Sequence, residues 1–393
     1  MPSPEEFYRI KRLPPYVFEE VTALKARLRA AGRDVIDFGM GNPDMETPPH
    51  IIEKLIETAK KPRTNRYSAS KGVPGLRRSI ARYYERRFGV KLDPASEVIA
   101  TLGSKEGFAN LAQAITAPGD VILAPDPAYP IHAYGFIIAG GVIRAVPAHA
   151  PEAYLSGMSR AIAHVTPKPT AMVLNYPSNP TAQVVGLDFY KDAVAFAKKH
   201  DIWILSDLAY AEIYFDDAPP PSILAIPGAK DIAVEVNSLS KTYAMAGFRV
   251  GMAVGNPRLI AALARVKYGA YTPIQVAASA ALDGPQDCVD EIRAIYKGRR
   301  DALVESFAKV GWEIPSPPAS MFAWTPIPED FKALGSVGFA KKLMEEADVA
   351  VAPGLGFGEH GEGFVRIGLV ENEQRIRQAA RNVKKMLSRR NAA

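Results

Sequence analysis

Apolar residues recur along this chain at two spacings. In 16–31 (YVFEEVTALKARLRAA) they fall every three or four positions, which predicts an amphipathic helix ended by Gly32. VIDFGMG (35–41) follows as a short strand. Pro48-Pro49 opens a helix through HIIEKLIETAKK, with proline in the first turn, where its missing N–H costs nothing. A further helix spans 74–88, with many exposed basic positions.

From residue 97 the spacings alternate. EVIATLG, DVILAPDP, TAMVLNYP, IWILSDLAY, IAVEVNSLS and RVGMAVG read as strands. Between them SKEGFANLAQAI, IHAYGFIIAG and LDFYKDAVAFAKKH read as helices. AMVLNY and IWILSD are apolar almost throughout, the pattern of parallel strands covered on both faces. The expected fold class is therefore α/β, a mostly parallel central sheet flanked by helices over 46–285. A long helix is expected over 286–310. Short strands (SMFAWTPI, VAVAPG, GFVRIGLV) and a closing helix, ENEQRIRQAARNVKKML, then suggest a smaller α+β domain over 286–393. Residues 1–45 form an N-terminal arm expected to share in that smaller domain.

Composition narrows the function classes. The chain has 393 residues, 48% of them hydrophobic and 23% charged, as expected of a globular protein that needs no covalent staple. Its single cysteine, Cys288, excludes an intramolecular disulfide and agrees with a cytoplasmic location. The first residues lack the apolar core of a secretory signal, and no run of 18 apolar residues predicts a membrane span. Net charge is +6, but Lys and Arg are interspersed with Asp and Glu, so no nucleic-acid partner is expected. The six histidines have no metal-ligand spacing, so no metal is expected.

Open α/β sheets bind ligands at the carboxyl ends of their strands. There the chain places Gly103-Ser104-Lys105 at a helix start, suited to a phosphate. It also places Asn179, then Asp207 with Tyr210, then Ser238, Ser240 and Lys241, with Arg249 eight residues further on. One chemistry unites these residues. A lysine amine condenses with an aldehyde cofactor, and a carboxylate keeps the ring nitrogen protonated. A phenol and an amide can bond the ring oxygen, while serines and an arginine hold a phosphate.

The strings that carry these residues resemble a known family. SLSKTYAMAGFRVG resembles the cofactor-lysine motif of the class I and II pyridoxal-phosphate (PLP) aminotransferases, whose fold is PLP-dependent transferase fold type I. SDLAYAEI, NYPSNPT, GMGNPDMETPP and FVRIGLVENEQRI resemble further motifs of that family, in order over nearly the whole chain. ARVKYGAYTPIQVAA and PPASMFAW look most like its bacterial alanine:glutamate members, with LL-diaminopimelate aminotransferases next. The resemblance implies pyridoxal 5'-phosphate held by Lys241 as a Schiff base, Asp207 on the ring nitrogen, and Tyr210 and Asn179 on the ring oxygen. It implies Tyr129 stacked on the ring, and Ser104, Lys105, Ser238 and Arg249 on the phosphate, with Ser240 a further candidate. Arg366 would grip the substrate α-carboxylate, near Asn179 and the Gly41 backbone. Tyr67 would reach the partner's cofactor in a homodimer. Tyr16, Met40 and Tyr271 would lie near the site. One departure is visible: Ala182 stands where many relatives have glycine, which matters if the turn needs a positive φ.

Each residue also has an ordinary explanation. Asp207 could cap a helix, Asn179 could serve a turn, and the tyrosines could be core aromatics. Their joint occurrence at strand ends favours one site. The expected reaction is amino transfer between an L-amino acid and a 2-oxo acid, with L-alanine and 2-oxoglutarate as the leading pair. Aspartate, aromatic, methionine and LL-diaminopimelate donors are alternatives. A PLP-dependent C–S lyase is the rival from another class, and a PLP-binding regulator is disfavoured because no DNA-binding segment fits before residue 40.

Overall fold

The computed structural model describes residues 7–14, 17–216 and 218–390. Its strands are β1 (Ile36–Asp37), β2 (Val98–Thr101), β3 (Val121–Asp126), β4 (Val142–Pro147), β5 (Ala171–Asn175) and β6 (Trp203–Asp207). They continue as β7 (Ala233–Ser238), β8 (Gly251–Gly255), β9 (Phe322–Pro326), β10 (Val349–Ala350), β11 (Ala352–Pro353) and β12 (Phe364–Gly368). The central sheet has seven strands in the order β2-β8-β7-β6-β5-β3-β4. Only β8 runs against its neighbours. The mostly parallel sheet expected from sequence is present.

Burial explains why these segments are strands. Every residue of β5, β7 and β8 is buried, as a sheet covered on both faces requires. Two apolar clusters fill the two faces. Ile80, Leu174, Ile204 and Met252 belong to one, and Phe108, Val173, Leu205 and Val236 to the other. The residues alternate between faces along each strand. β4 is different. It is the edge strand, mostly exposed, and carries Arg144 and Pro147, both of which discourage further pairing. The sequence reading did not include it. The helices Pro151–Ala163, Pro257–Val266, Thr272–Asp283 and Gly335–Ala347 were likewise not anticipated. The first helix runs Phe18–Ala30, shorter than expected, and VIDFGMG contributes only the two residues of β1.

A third cluster joins Ile36 and Phe38 to Leu303, Phe307, Trp312, Phe339, Ile367 and Ile376. It packs the antiparallel sheet β11-β12-β9 and the parallel pair β1-β10 against the helices Asp287–Ala308 and Glu373–Arg390. Ala209, Tyr210, Ile213 and Ala244 belong to the same cluster, so this layer seats directly on loops that follow the central sheet. The long helix Asp287–Ala308 fixes the arrangement. Arg299 forks onto Asp44 at 2.6 and 2.7 Å and donates to Leu369 O at 3.0 Å.

Ala182 has φ +58°, so the turn after Pro180 does need a left-handed residue. The alanine methyl is buried there, and the conformation costs about 1 kcal/mol.

Glu235 of β7 is wholly buried, which raises its carboxyl from 4.5 to about 7. Ser222 Oγ (2.7 Å), Ile223 N (3.2 Å) and Tyr84 Oη (3.1 Å) donate to it and oppose that rise. The unfolded chain releases this proton near 4.5 and the folded chain keeps it to about 7, so folding stability falls as pH rises between the two values. The Glu235→Gln variant should lose that component: the difference in urea midpoint between wild type and variant should shift across this window by the equivalent of about 2–3 kcal/mol. A difference independent of pH would refute the account.

Candidate active site

Six strands of the central sheet point their carboxyl ends to one rim, and the antiparallel β8 brings Arg249, just ahead of it, to the same rim. A cleft of about 700 Å³ opens there, between the rim and the layer carrying residues 39–42, Phe322, Phe357 and Arg366. Gly41, Ser104, Lys105, Tyr129, Asn179, Asp207, Tyr210, Ser238, Lys241, Arg249 and Arg366 all line it, together with Ser240 and Met40. Tyr67 does not: its side chain is fully exposed. Tyr271 is also outside the cleft, its hydroxyl donating to Asn65 Oδ1 at 2.9 Å. Tyr16 lies outside the described residues.

Lys241 sits in the short helix Leu239–Thr242, which starts where β7 ends. Ser238 begins that helix, its Oγ accepting from Ser240 N at 3.1 Å. Lys241 Nζ donates to Gly41 O at 2.7 Å across the cleft. Burial, reinforced by the charges of Arg366 and Arg249, lowers its ammonium from 10.5 to about 8. The amine is therefore far easier to deprotonate than a surface lysine, as a nucleophile or proton carrier requires.

Asp207 ends β6 on the cleft floor. His132 Nε2 lies 2.9 Å from its Oδ2, and Ala209 N donates to its Oδ1 at 3.1 Å. His132 is completely buried. Asn175 at the end of β5 donates to Asp207 O at 3.0 Å, and its own Oδ1 accepts from Asn179 N at 2.9 Å. Tyr210 is buried beside Phe322, and burial pushes its phenol well above the ordinary value.

At the opposite end the helix Ser104–Ile115 begins without a side-chain cap. Gly103 has φ +88°, and a Cβ there would collide with the Arg249 guanidinium, which donates to Ala246 O (2.8 Å) and Leu102 O (3.2 Å). A helix N-terminus under a guanidinium suits a phosphate dianion. Lys105 Nζ lies 5.9 Å from the centre of the Tyr129 ring.

Arg366, on β12, is buried between the rings of Phe322 (4.0 Å) and Phe357 (4.7 Å). It donates to Asn179 Oδ1 at 2.8 Å and Gly39 O at 3.1 Å. Burial lowers it from 12.5 to about 10, and its Nε is buried without a protein partner. Arg366 lines the cleft, and a guanidinium with an unmet N–H there fits a carboxylate that comes from outside the chain.

Sequence reasoning missed His132, Asn175 and the two phenylalanines around Arg366. His132 had a usable signal, since it stands three residues after Tyr129 at a helix start and so shares its face. Phe322 is a diagonal neighbour of Arg366 in the β9-β12 register, and only strand pairing reveals that.

Residues 33–383 match the family described as Aminotransferase class I and II. The chain is 66% identical to AatC of Rhizobium meliloti (strain 1021), over 98% of this chain and 96% of that one. It is 52% identical to the glutamate-pyruvate aminotransferase AlaC of Escherichia coli (strain K12), over 97% and 93%. Among solved structures, substrate-bound BacF from Bacillus subtilis superposes with a TM-score of 0.92 at 35% identity, over 98% of both chains.

The lowered proton affinity of Lys241 can be read without any ligand. Reductive methylation of the bare chain, followed by peptide mass spectrometry, should show Lys241 half-reactive near pH 8, well below the ordinary lysine value of 10.5. Titration together with the surface lysines would contradict the burial argument.

Proposed function

The chain belongs to the class I and II aminotransferases, and from that premise we propose that it uses pyridoxal 5'-phosphate to move an amino group from L-alanine to 2-oxoglutarate, giving pyruvate and L-glutamate. The observation that carries the reading is the line of three groups across one cleft: Asp207 on the floor, the easily deprotonated Lys241, and Arg366 with an unmet N–H. The residues present fit the cofactor, from the uncapped helix at Ser104 and Arg249 at one end to Asp207 at the other. When bound, it supplies an aldehyde that condenses with amines and a pyridinium ring that accepts the electron pair left when the Cα–H bond breaks.

The chain's residues supply the rest. Ser104, Lys105, Ser238 and Arg249 hold the phosphate, with Ser240 beside them. Asp207, kept in place by His132 and Asn175, holds the ring nitrogen's proton. Tyr210 and Asn179 donate to the ring oxygen, and Tyr129 covers the ring face. Arg366 orients the substrate through its α-carboxylate, so that the Cα–H bond faces Lys241. Lys241 Nζ would take the Cα proton and return it to the former aldehyde carbon on the far side of the nitrogen; water would then release the oxo acid and leave the amino group behind, and the reverse sequence would serve the second substrate. Tyr67, exposed on the single chain, completes the phosphate site of a second copy, so the working unit is a homodimer. Among the described residues no helix is long and apolar enough to cross a membrane.

The choice of alanine rests on the identity to the glutamate-pyruvate aminotransferase of Escherichia coli. Purified protein with the cofactor should form pyruvate from L-alanine only when 2-oxoglutarate is present. Pyruvate and ammonia released without an acceptor would point to a lyase and overturn the transfer reading. Lys241→Ala should lose the visible absorbance of the bound cofactor and at least about 10³-fold in kcat. Arg366→Lys should raise KM for both substrates about 10–100-fold, since an ammonium cannot replace the guanidinium fork.

A further inference from the structure

Asp126, at the carboxyl end of β3, is a buried carboxylate that the reaction does not use. Its donors come from the other side of the cleft. His360 N donates to Oδ1 at 3.3 Å, and His360 Nδ1 lies 2.9 Å from Oδ2. Two residues along, Ala128 N donates to Phe357 O at 2.8 Å. Gly358 has φ +132°, and a Cβ there would collide with Asp126 Oδ1, so the turn 354–361 closes on the carboxylate only because that residue is glycine. A buried carboxylate is costly unless such donors meet it, and here they all belong to one turn.

That turn presents Phe357 to the guanidinium of Arg366 at 4.7 Å. Phe357 is held in turn by edge contacts to Phe18 (5.3 Å) and Trp324 (5.9 Å). Phe322 lies 4.0 Å from the same guanidinium, so the two rings together bound the space it can occupy. The lever therefore runs from Asp126 through the turn to Phe357 and then to Arg366.

We propose that Asp126 is a positioning residue for substrate recognition, clamping the turn 354–361 onto the central sheet so that Phe357 holds Arg366 at the angle that receives a carboxylate. This rests on the reading of Arg366 as the carboxylate-binding group. The contacts that matter are at the far side of the cleft from the phosphate end, so substrate affinity should depend on the clamp and cofactor affinity should not.

The test uses Asp126→Ala, Asp126→Asn and His360→Ala in the cofactor-loaded enzyme. Asp126→Ala should raise KM for both substrates, and the calorimetric Kd for the non-reacting carboxylate propionate, about tenfold, with kcat within about twofold. His360→Ala, which removes one bond of the clamp, should raise both about threefold, and Asp126→Asn, which keeps an acceptor for His360 N, should fall between it and wild type. The slow half-reaction of ethylamine, which has no carboxylate, should not change. The inference is overturned if ethylamine and alanine lose rate equally, if propionate Kd is unmoved, or if cofactor affinity changes instead, which would mean that Asp126 acts through Tyr129. Should Asp126→Ala fail to fold, His360→Ala carries the same comparisons. If wild type transfers no amino group, the proposed reaction fails, while propionate binding still reports on the clamp.

Discussion

The site depends on keeping a lysine amine out of water among positive charges. An ammonium on Lys241 loses hydration on burial and is repelled by Arg366 and Arg249, and among the described residues Gly41 O is its one hydrogen-bond partner. Burial and the two guanidinium charges favour the neutral amine. The acidic group of the floor is engaged elsewhere: Asp207 meets His132 at 2.9 Å and accepts from the Ala209 N–H at 3.1 Å.

Much of this was legible from sequence because the chemistry sits at strand ends, and buried parallel strands announce themselves as short apolar runs. Asp207, Ser238 and Lys241 follow such runs directly. The resemblance to aminotransferases then supplied Arg366 and Tyr129, which no local rule singles out. What stayed hidden depends on pairs distant in sequence. His132 matters because it meets Asp207, 75 positions away, and Phe357 because it meets Arg366. The edge strand β4 was missed for a different reason. Its run VIRAVP has the β-branched residues of a strand but is short, broken by Arg144 and closed by Pro147, and follows the apolar helix segment IHAYGFIIAG after only one further residue.

Positions outside the cleft teach a related lesson. The loop bearing Tyr67 is tied to residues 264–275 through Ser68, Ser70, Lys267 and Gln275, so it is a firm platform even though the tyrosine itself is bare. A rigid platform with an exposed aromatic is the arrangement expected of a residue used by a neighbouring molecule. Ala182 is the converse. It accepts a left-handed backbone where glycine would be relaxed, because Ser178 O accepts its N–H at 2.9 Å and the surrounding packing fixes the turn.

The parallel pair β1-β10 joins Ile36 to Val349, so a segment read early by the ribosome waits for one made near the end. Strand order within the central sheet is complete once Gly255 has emerged, and with it most of the rim that surrounds Lys241. Gly39, whose carbonyl steadies Arg366, has no lasting seat until β10 and β12 exist. Contacts so far apart in the chain form slowly. During synthesis the half of the site that would hold a cofactor therefore precedes the half that would recognise a substrate, and a nascent chain passes through a stage with the first capacity and without the second.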